Sequence, residues 1–233
     1  MDTRPSELPY AEFYRILISS VAPRPIAWVS TMDREGRLNL APFSFFNAIS
    51  GRPPLLVVSP GLRRLPAAAD GAAPHAPSVQ EPSFQEPGFQ EPGFQEKDTL
   101  RNIRETKEFV VNVVTYDLAQ AMNLTSGEYD PSVNEFELAR LTPRPSKLVR
   151  PPAVADSPVN FECKLRQILD FADPPYGNSL VIGEIVSVHV KEAHLKDGRL
   201  DPDSLDLIGR MGGNQYSRTA QRFEMVRPKA PRP

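Results

Sequence analysis

The chain has 233 residues, of which 40% are hydrophobic and 24% are charged, and its formal net charge is −2. This length suits one large domain or two small ones, and the near-neutral charge does not favour a nucleic-acid partner. No apolar run approaches the roughly 20 residues that span a bilayer, and the N-terminal residues lack the pattern of a signal peptide. The single cysteine, Cys163, excludes an internal disulfide and argues against a cysteine-based metal site. We therefore expect a cytoplasmic protein with no membrane partner.

The first elements are a helix, a hairpin and a strand. Apolar residues at helical spacing between Tyr10 and Val21 predict an amphipathic helix that ends before Pro23. From Arg24 to Ser50, alternating apolar residues flank a turn that contains Gly36, which is typical of a β-hairpin. The segment 53–59 predicts a short buried strand whose prolines stand only at its start.

Residues 61–96 form an insert of different composition. The segment is rich in Ala, Pro, Gly and Gln and contains a tandem repeat at 81–85, 86–90 and 91–95. A five-residue period with a proline in every unit fits neither a helix nor a strand. We expect a mobile surface loop, with a Phe-bearing tether for a partner as the alternative.

The rest of the chain alternates short helices with strands. Asp98 is placed to N-cap a helix that runs through Thr106. Further helices are predicted at 117–126 and 134–139, and strands at 108–115, 159–171 and 180–190. Strand 159–171 alternates so that Leu165, Leu169 and Phe171 share an apolar face while the other face is wet.

About six strands joined by turns, without regular crossover helices, favour an antiparallel barrel over a doubly wound sheet. Four large residues are candidates to fill its interior: Trp28, Phe109, Phe161 and Leu165. We interpret the chain as a single domain, residues 1–233, that carries the insert at 61–96.

Small polar residues stand where the strands of the 24–50 hairpin end. They are Ser30, Thr31, Asn39, Ser44 and Asn47. Hydroxyls and amides beside Phe43, Phe45 and Phe46 suit a flat ligand with polar edges. The alternative is that they only cap turns.

Four motifs resemble one family. They are Arg-Pro-Ile-Ala-Trp-Val-Ser-Thr at 24–31, Asn-Leu-Ala-Pro-Phe-Ser-Phe-Phe-Asn at 39–47, Lys-Asp-Thr at 97–99, and Gly-Arg-Met-Gly-Gly at 209–213 followed by Tyr216. In this order they are similar to the flavin reductase-like, FMN-binding split-barrel proteins, which include flavoredoxins and reductase components of two-component monooxygenases. The resemblance implies a mainly β fold, a six-stranded antiparallel Greek-key split β-barrel with short peripheral helices, in a homodimer.

The resemblance also implies FMN as cofactor, NADH or NADPH as co-substrate, and hydride transfer from the nicotinamide to flavin N5. The electrons would pass to free flavin, a monooxygenase or another acceptor. The alternatives from other classes are a flavin-binding electron carrier or sensor without nicotinamide turnover, and a structural barrel that binds no flavin.

Lys97, Asp98 and Thr99 open a predicted helix, and the N-terminus of a helix favours a phosphate. Lys97 adds a charge and Thr99 a hydroxyl, and in the family this motif lies at the flavin phosphate. The alternative is an ordinary capped helix. Ser59 is a further candidate because it precedes the insert.

The flavin ring and ribityl chain are assigned to the hairpin and to the glycine-rich end. The predicted contacts in the hairpin are Ser30, Thr31, Ala41, Ser44, Phe45 and Asn47. In the glycine-rich segment, Arg210 would face the charge of reduced flavin, Gly212 would allow close approach, and Tyr216 would flank the ring. The alternative for Arg210 is a surface salt bridge.

His189 is the catalytic candidate, since related reductases have a histidine in a comparable strand near the nicotinamide. Its strand face also carries Gly183 and Ser187, whose small size would leave room for a planar ligand. The alternative is a core histidine with its hydrogen bonds satisfied.

Overall fold

The fold is built on an antiparallel sheet of seven strands. The computed structural model describes residues 2–64, 94–171 and 177–229. Four α-helices occur in these ranges: Tyr10–Ser20 (α1), Asp98–Thr106 (α2), Ala119–Leu124 (α3) and Glu135–Leu138 (α4). The strands before α2 are Arg24–Pro25 (β1), Ala27–Met32 (β2), Leu38–Phe43 (β3), Phe46–Gly51 (β4), Pro54–Val58 (β5), Leu62–Arg64 (β6) and Phe94–Glu96 (β7).

The remaining strands complete the large sheet and several small ones. They are Glu108–Val113 (β8), Pro143–Arg144 (β9), Ala153–Val154 (β10), Val159–Phe171 (β11), Asn178–Val190 (β12), Leu195–Lys196 (β13), Arg199–Leu200 (β14), Ile208–Arg210 (β15) and Tyr216–Arg218 (β16). The large sheet has the order β3-β2-β8-β11-β12-β5-β4, and a small sheet joins β1, β15 and β16. No helix of the described residues is long and apolar enough to cross a membrane.

The link between β3 and β4 closes the sheet into a barrel. These strands occupy its two ends, yet only Ser44 and Phe45 separate them in the chain. The three Cα–Cα steps from Phe43 to Phe46 span at most about 11 Å, so the two edges must come together. This confirms the predicted mainly β split barrel. The sheet has seven strands where the sequence predicts six, because the second half of the predicted hairpin breaks into β3 and β4.

The barrel interior is filled from alternate positions of β2, β5, β8 and β11. Its buried residues are Ala27, Val29, Phe43, Leu56, Val58, Leu100, Ile103, Phe109, Val111, Cys163 and Val181. Leu100 and Ile103 belong to α2, so burial of these two side chains fixes the helix against the barrel.

Trp28 lies outside this interior, contrary to the prediction. It packs with Met122 and Phe136 in a second core under α3 and α4, and its indole Nε1 donates to Thr125 Oγ1 at 2.8 Å. Both faces of β2 are buried, so alternation sends Trp28 to one core and its neighbours Ala27 and Val29 to the other.

The long strand β11 corrects two further expectations. The register shift between Leu165 and Gln167 adds one residue to β11 and reverses the alternation, so Leu169 and Phe171 are 37% and 63% exposed rather than buried. The face predicted to be wet is covered at its start, because the Glu162 carboxylate accepts from the Lys147 and Leu148 amides at 2.8 and 2.6 Å. The proline-rich connection at 144–158 therefore packs on the sheet.

Helix α1 matches its predicted range but has no buried residue. Its apolar side chains Tyr10, Tyr14 and Ile16 are 42%, 38% and 45% exposed. An amphipathic helix with an open apolar face leaves a surface that a second protein chain can cover.

Both ends of the predicted insert form a short antiparallel pair. Leu62, Arg63 and Arg64 of β6 stand opposite Glu96, Gln95 and Phe94 of β7. The stretch 65–93, which holds most of the repeat, lies outside the described residues.

Because the paired ends hold the chain together, replacing residues 65–93 with a four-residue Gly-containing turn is expected to preserve the fold. Shortening a loop changes closure entropy slowly, by about 0.6 kcal/mol per halving of its length. The melting temperature should therefore stay within about 5 °C of the parent value, as measured by differential scanning calorimetry. A larger drop would show that the replaced segment packs against the barrel.

Candidate functional site

A cleft opens beside the N-terminal end of α2. It encloses about 470 Å³, including the solvent at its mouth. Its lining residues are Asn39, Ala41, Pro42, Phe43, Lys97, Asp98, Thr99, Ser126, Gly127, Glu128, Tyr129 and Glu135. Four residues of the predicted site, Ala41, Lys97, Asp98 and Thr99, are thus brought together here.

A buried hydrogen-bond network forms the floor of this cleft. The Asn39 amide donates to Thr31 Oγ1 at 3.2 Å and to Thr99 Oγ1 at 2.9 Å. The Asn102 amide donates to Thr31 Oγ1 at 3.1 Å. The network ties the first turn of α2 to β2 and β3. Thr31 and Thr99 are at most 1% exposed, and their hydroxyls accept the hydrogen bonds of this network.

The start of α2 differs from the predicted cap. Lys97 is the N-cap, with extended backbone angles and no side-chain cap, and its carbonyl accepts from the Leu100 and Arg101 amides at 2.9 and 3.1 Å. Asp98 is the first helical residue, and its carboxylate pairs with Arg101 at 2.5 Å. A helix that begins beside a lysine without a side-chain cap presents a positive end to the cleft.

The opposite side of the cleft is acidic, which the sequence does not reveal. Glu135 is 7% exposed, and its Oε2 accepts from the Leu40 amide at 3.1 Å. Burial raises the pKa of the Glu135 carboxyl, and its amide hydrogen bonds oppose that shift. Glu128 also lines the cleft. Neither residue belongs to a recognisable sequence motif. Glu135 reaches the cleft because α4 packs on strand β3, which is a tertiary contact that the sequence does not show.

A second group of predicted residues surrounds Arg24. Its guanidinium donates to the Ile18 and Val21 carbonyls at 2.5 and 2.8 Å, and to the Met211 carbonyl at 3.0 Å. Its Nε lies 3.4 Å from Ser44 Oγ. Arg24 therefore joins the C-terminal end of α1, the β3–β4 link and the glycine-rich segment.

The aromatic ring of Phe45 lies in the same group, with the Arg24 guanidinium 6.0 Å from its centroid. Arg210 is the strand partner of Arg24 and lies over the ring of Tyr216 at 4.6 Å. Its guanidinium also donates to the Tyr216 hydroxyl and to the Gly213 carbonyl. An added Cβ at Gly212 would stand 2.6 Å from Ser19 Oγ, so glycine lets this segment approach α1.

The two groups are connected through one piece of backbone. Ala41 lines the cleft, and Phe45 lies beside Arg24. Four residue steps of extended chain cover about 13 Å. The segment from Ala41 to Phe45 thus connects the positive end of α2 at the cleft with the surface around Arg24 and Phe45.

Three further predicted contacts, Ser30, Asn47 and Ser59, are also absent from the cleft lining. Ser30 is fully buried, and its hydroxyl donates to the Pro152 carbonyl at 2.5 Å. Its side chain therefore packs under the 144–158 connection instead of contacting a ligand. Asn47 is exposed on the outer strand β4, and the Ser59 amide donates to the Phe45 carbonyl at 2.8 Å.

His189 lies on β12 and is not among the residues that line the cleft. The register shift near Val186 also puts it on the opposite face from Gly183, where an added Cβ would stand 2.4 Å from the Phe109 ring. The predicted small-residue face beside His189 therefore does not form. Burial lowers the pKa of the His189 imidazole, and nearby Arg144, Lys147 and Lys191 lower it further.

Comparison with known proteins decides the family. The profile of the Flavin reductase like domain matches residues 19–205. The chain belongs to the flavin reductase-like family. An uncharacterized protein of Aquifex aeolicus is 36% identical over 204 residues, covering 87% of this chain and 88% of the relative.

Two solved structures are similar to this flavin reductase-like protein along nearly its whole length. Nitrilotriacetate monooxygenase component B from Bacillus cereus is 30% identical with a TM-score of 0.79, covering 97% of this chain and 98% of that one. Pseudomonas fluorescens 2-nitrobenzoate 2-nitroreductase is 30% identical with a TM-score of 0.77, covering 98% and 96%.

Proposed function

We propose that this flavin reductase-like protein binds FMN and uses NADH or NADPH to reduce it. The observation that carries the proposal is the cleft at α2, where Lys97 and a helix N-terminus without a side-chain cap stand together. Both features favour a phosphate. The connected surface around Phe45 and Tyr216 offers aromatic rings and arginines to a planar group.

In this proposal the phosphate binds at Lys97 and the first turn of α2. The chain from Ala41 to Phe45 follows the ribityl group, and its backbone amides are candidates to meet the polar edge of the ring. Bound FMN supplies the hydride acceptor at N5. Thr99 lines the same cleft, and its hydroxyl, which accepts from Asn39, retains an O–H that can donate.

Two arginines, Arg24 and Arg210, lie close to the β3–β4 link. The four acceptors that surround Arg24 are three carbonyls and one hydroxyl, all neutral. Arg24 and Arg210 are strand partners, so two positive charges stand on one side of the β3–β4 link. Fixed positive charge stabilises negative charge that develops on a bound group. We assign this role to Arg210, which is more exposed, and assign Arg24 to positioning Ser44.

The proposal is tested with the purified full chain. Absorbance near 450 nm reports bound flavin, and anaerobic stopped-flow mixing with NADH and with NADPH reports its reduction. We expect bleaching within seconds with at least one nucleotide. Flavin that is bound but unchanged would point instead to an electron carrier or sensor. A colourless protein that takes up no added FMN would contradict the proposal.

Lys97→Gln is expected to weaken FMN binding by about 1.5–3 kcal/mol, the range for a hydrogen bond to a charged group. Lys107→Gln is the matched control, because Lys107 follows the other end of the same helix. Fluorescence titration measures both dissociation constants, and FAD should bind more weakly than FMN. An unchanged constant for Lys97→Gln would move the phosphate elsewhere.

The exposed apolar face of α1 supports a homodimer, which we include in the proposal. Obligate interfaces bury roughly 2,000 Å² or more and are hydrophobic. The flavin would then lie near the subunit boundary, since α1 contacts Phe45 through Tyr14, with ring centroids 6.4 Å apart. Electrons would leave to free flavin or to an oxygenase partner.

Sedimentation velocity at micromolar concentration should give twice the chain mass of 25.9 kDa. Ile16→Asp should shift the protein towards monomer and release flavin, because it places a charge on the covered face. Leu148→Asp is the control, as Leu148 is an exposed apolar residue of the 144–158 connection. A monomeric parent protein that retains FMN would rule out the dimer.

A further inference from the structure

The carboxyl group of Glu135 stands between two clefts. It lines the cleft at Lys97 and also a smaller one that is bordered by Asp33, Arg37 and Asn102. The residue is 7% exposed, and one carboxyl oxygen accepts from the Leu40 amide at 3.1 Å. A nearly buried carboxylate therefore shares its cleft with the proposed phosphate site.

Most charges around Glu135 cancel in pairs. From the β2–β3 turn, the Asp33 carboxylate pairs with Arg37 at 2.5 Å. From α2, Asp98 pairs with Arg101 at 2.5 Å. The other charged groups of the two clefts are Lys97, Glu128 and Glu135. Tyr129 also lines the first cleft.

Two anions in one partly desolvated cleft repel each other strongly. A phosphate held by Lys97 would therefore favour the protonated form of a neighbouring carboxyl. The protonated form has an O–H that can donate to the phosphate, whereas the ionised form can only accept.

We propose that Glu135 is a specificity-determining residue of the cleft, which takes up a proton when a phosphorylated flavin binds and so makes the affinity for FMN fall as pH rises. This inference rests on the proposed binding of the FMN phosphate at α2. It concerns the phosphate alone, so riboflavin, which lacks that group, is not affected by Glu135.

The direction of the pH dependence follows from the protonation of Glu135 in the free protein and in the FMN complex. Burial already raises the pKa of Glu135 in the free protein, and a bound phosphate raises it again. Between these two pKa values the complex holds one more proton than the free protein. Affinity for FMN therefore decreases with increasing pH in that interval, by at most tenfold per pH unit for one proton. The phosphate of free FMN has a second pKa of about 6, which is the same in every titration because it belongs to the ligand in solution.

The experiment compares the parent chain with Glu135→Gln and with Glu137→Gln. Glutamine retains an oxygen that accepts from the Leu40 amide, so the fold should persist, which thermal melting checks. Glu137 is the matched control because it is an exposed glutamate on the same helix. FMN and riboflavin are titrated by fluorescence from pH 5.5 to 8.5.

At pH 8 we expect Glu135→Gln to bind FMN about tenfold more tightly than the parent, equivalent to one unit of pKa shift. Its pH dependence should be shallower, the Glu137→Gln profile should follow the parent, and riboflavin should bind all three alike. Parallel profiles for Glu135→Gln and the parent would overturn the inference while the proposed function stands. A parent chain that binds no FMN, or binds FMN no better than riboflavin, would overturn the phosphate site itself.

A second measurement needs no variant. Isothermal titration of the parent with FMN at pH 7.5, in buffers of different ionisation enthalpy, reports protons exchanged on binding. Net proton uptake is expected, because the phosphate of free FMN is already a dianion at this pH and the bound phosphate favours the protonated form of Glu135. Zero uptake or proton release would contradict the role of Glu135.

Discussion

The connection of two residues between β3 and β4 is the constraint on which the rest of the fold depends. It joins strands at opposite ends of the sheet order, so the sheet can exist only as a curled, nearly closed surface. The same closure places Ala41–Phe45 at the junction between β3 and β4, which we call the seam. Helices α2 and α4 and the Arg24 side chain all contact this segment. Cleft and aromatic surface are therefore consequences of how the barrel closes.

Polar groups hold the seam where strand pairing stops. An edge strand exposes amides that need partners, and the outward amide of Leu40 finds one in Glu135. Asn39 connects the same strand to the start of α2, while Arg24 ties the link to the end of α1. Because these contacts are buried or nearly so, the backbone between the two groups is fixed before any ligand arrives. Preorganisation of this kind lowers the cost of binding.

Much of the fold follows from patterns within short stretches of sequence. The ranges of α1 and α2 could be predicted because helical spacing and end signals are local. The inward residues of β11 beyond Leu165 could not, since a bulge at Arg166 reverses the alternation and no residue type marks it. His189 was misplaced relative to Gly183 because of the register shift near Val186. Ser30 and Thr31 belong to the motif at 24–31, but their burial could not be predicted. Tertiary packing buries Ser30 under the 144–158 connection and Thr31 against α2. Glu135 was missed because its neighbours in space lie about 40 and 95 residues away along the chain.

The paired ends of β6 and β7 have a consequence for how this protein can change over evolutionary time. Arg64 and Phe94 are cross-strand partners, so the chain leaves and re-enters the β6–β7 pair at neighbouring positions. A segment of different length or sequence can therefore begin and end at this pair without separating the two strands. Such a position can accept an inserted segment during evolution, or a reporter domain by design, without a change in the packing of the barrel core.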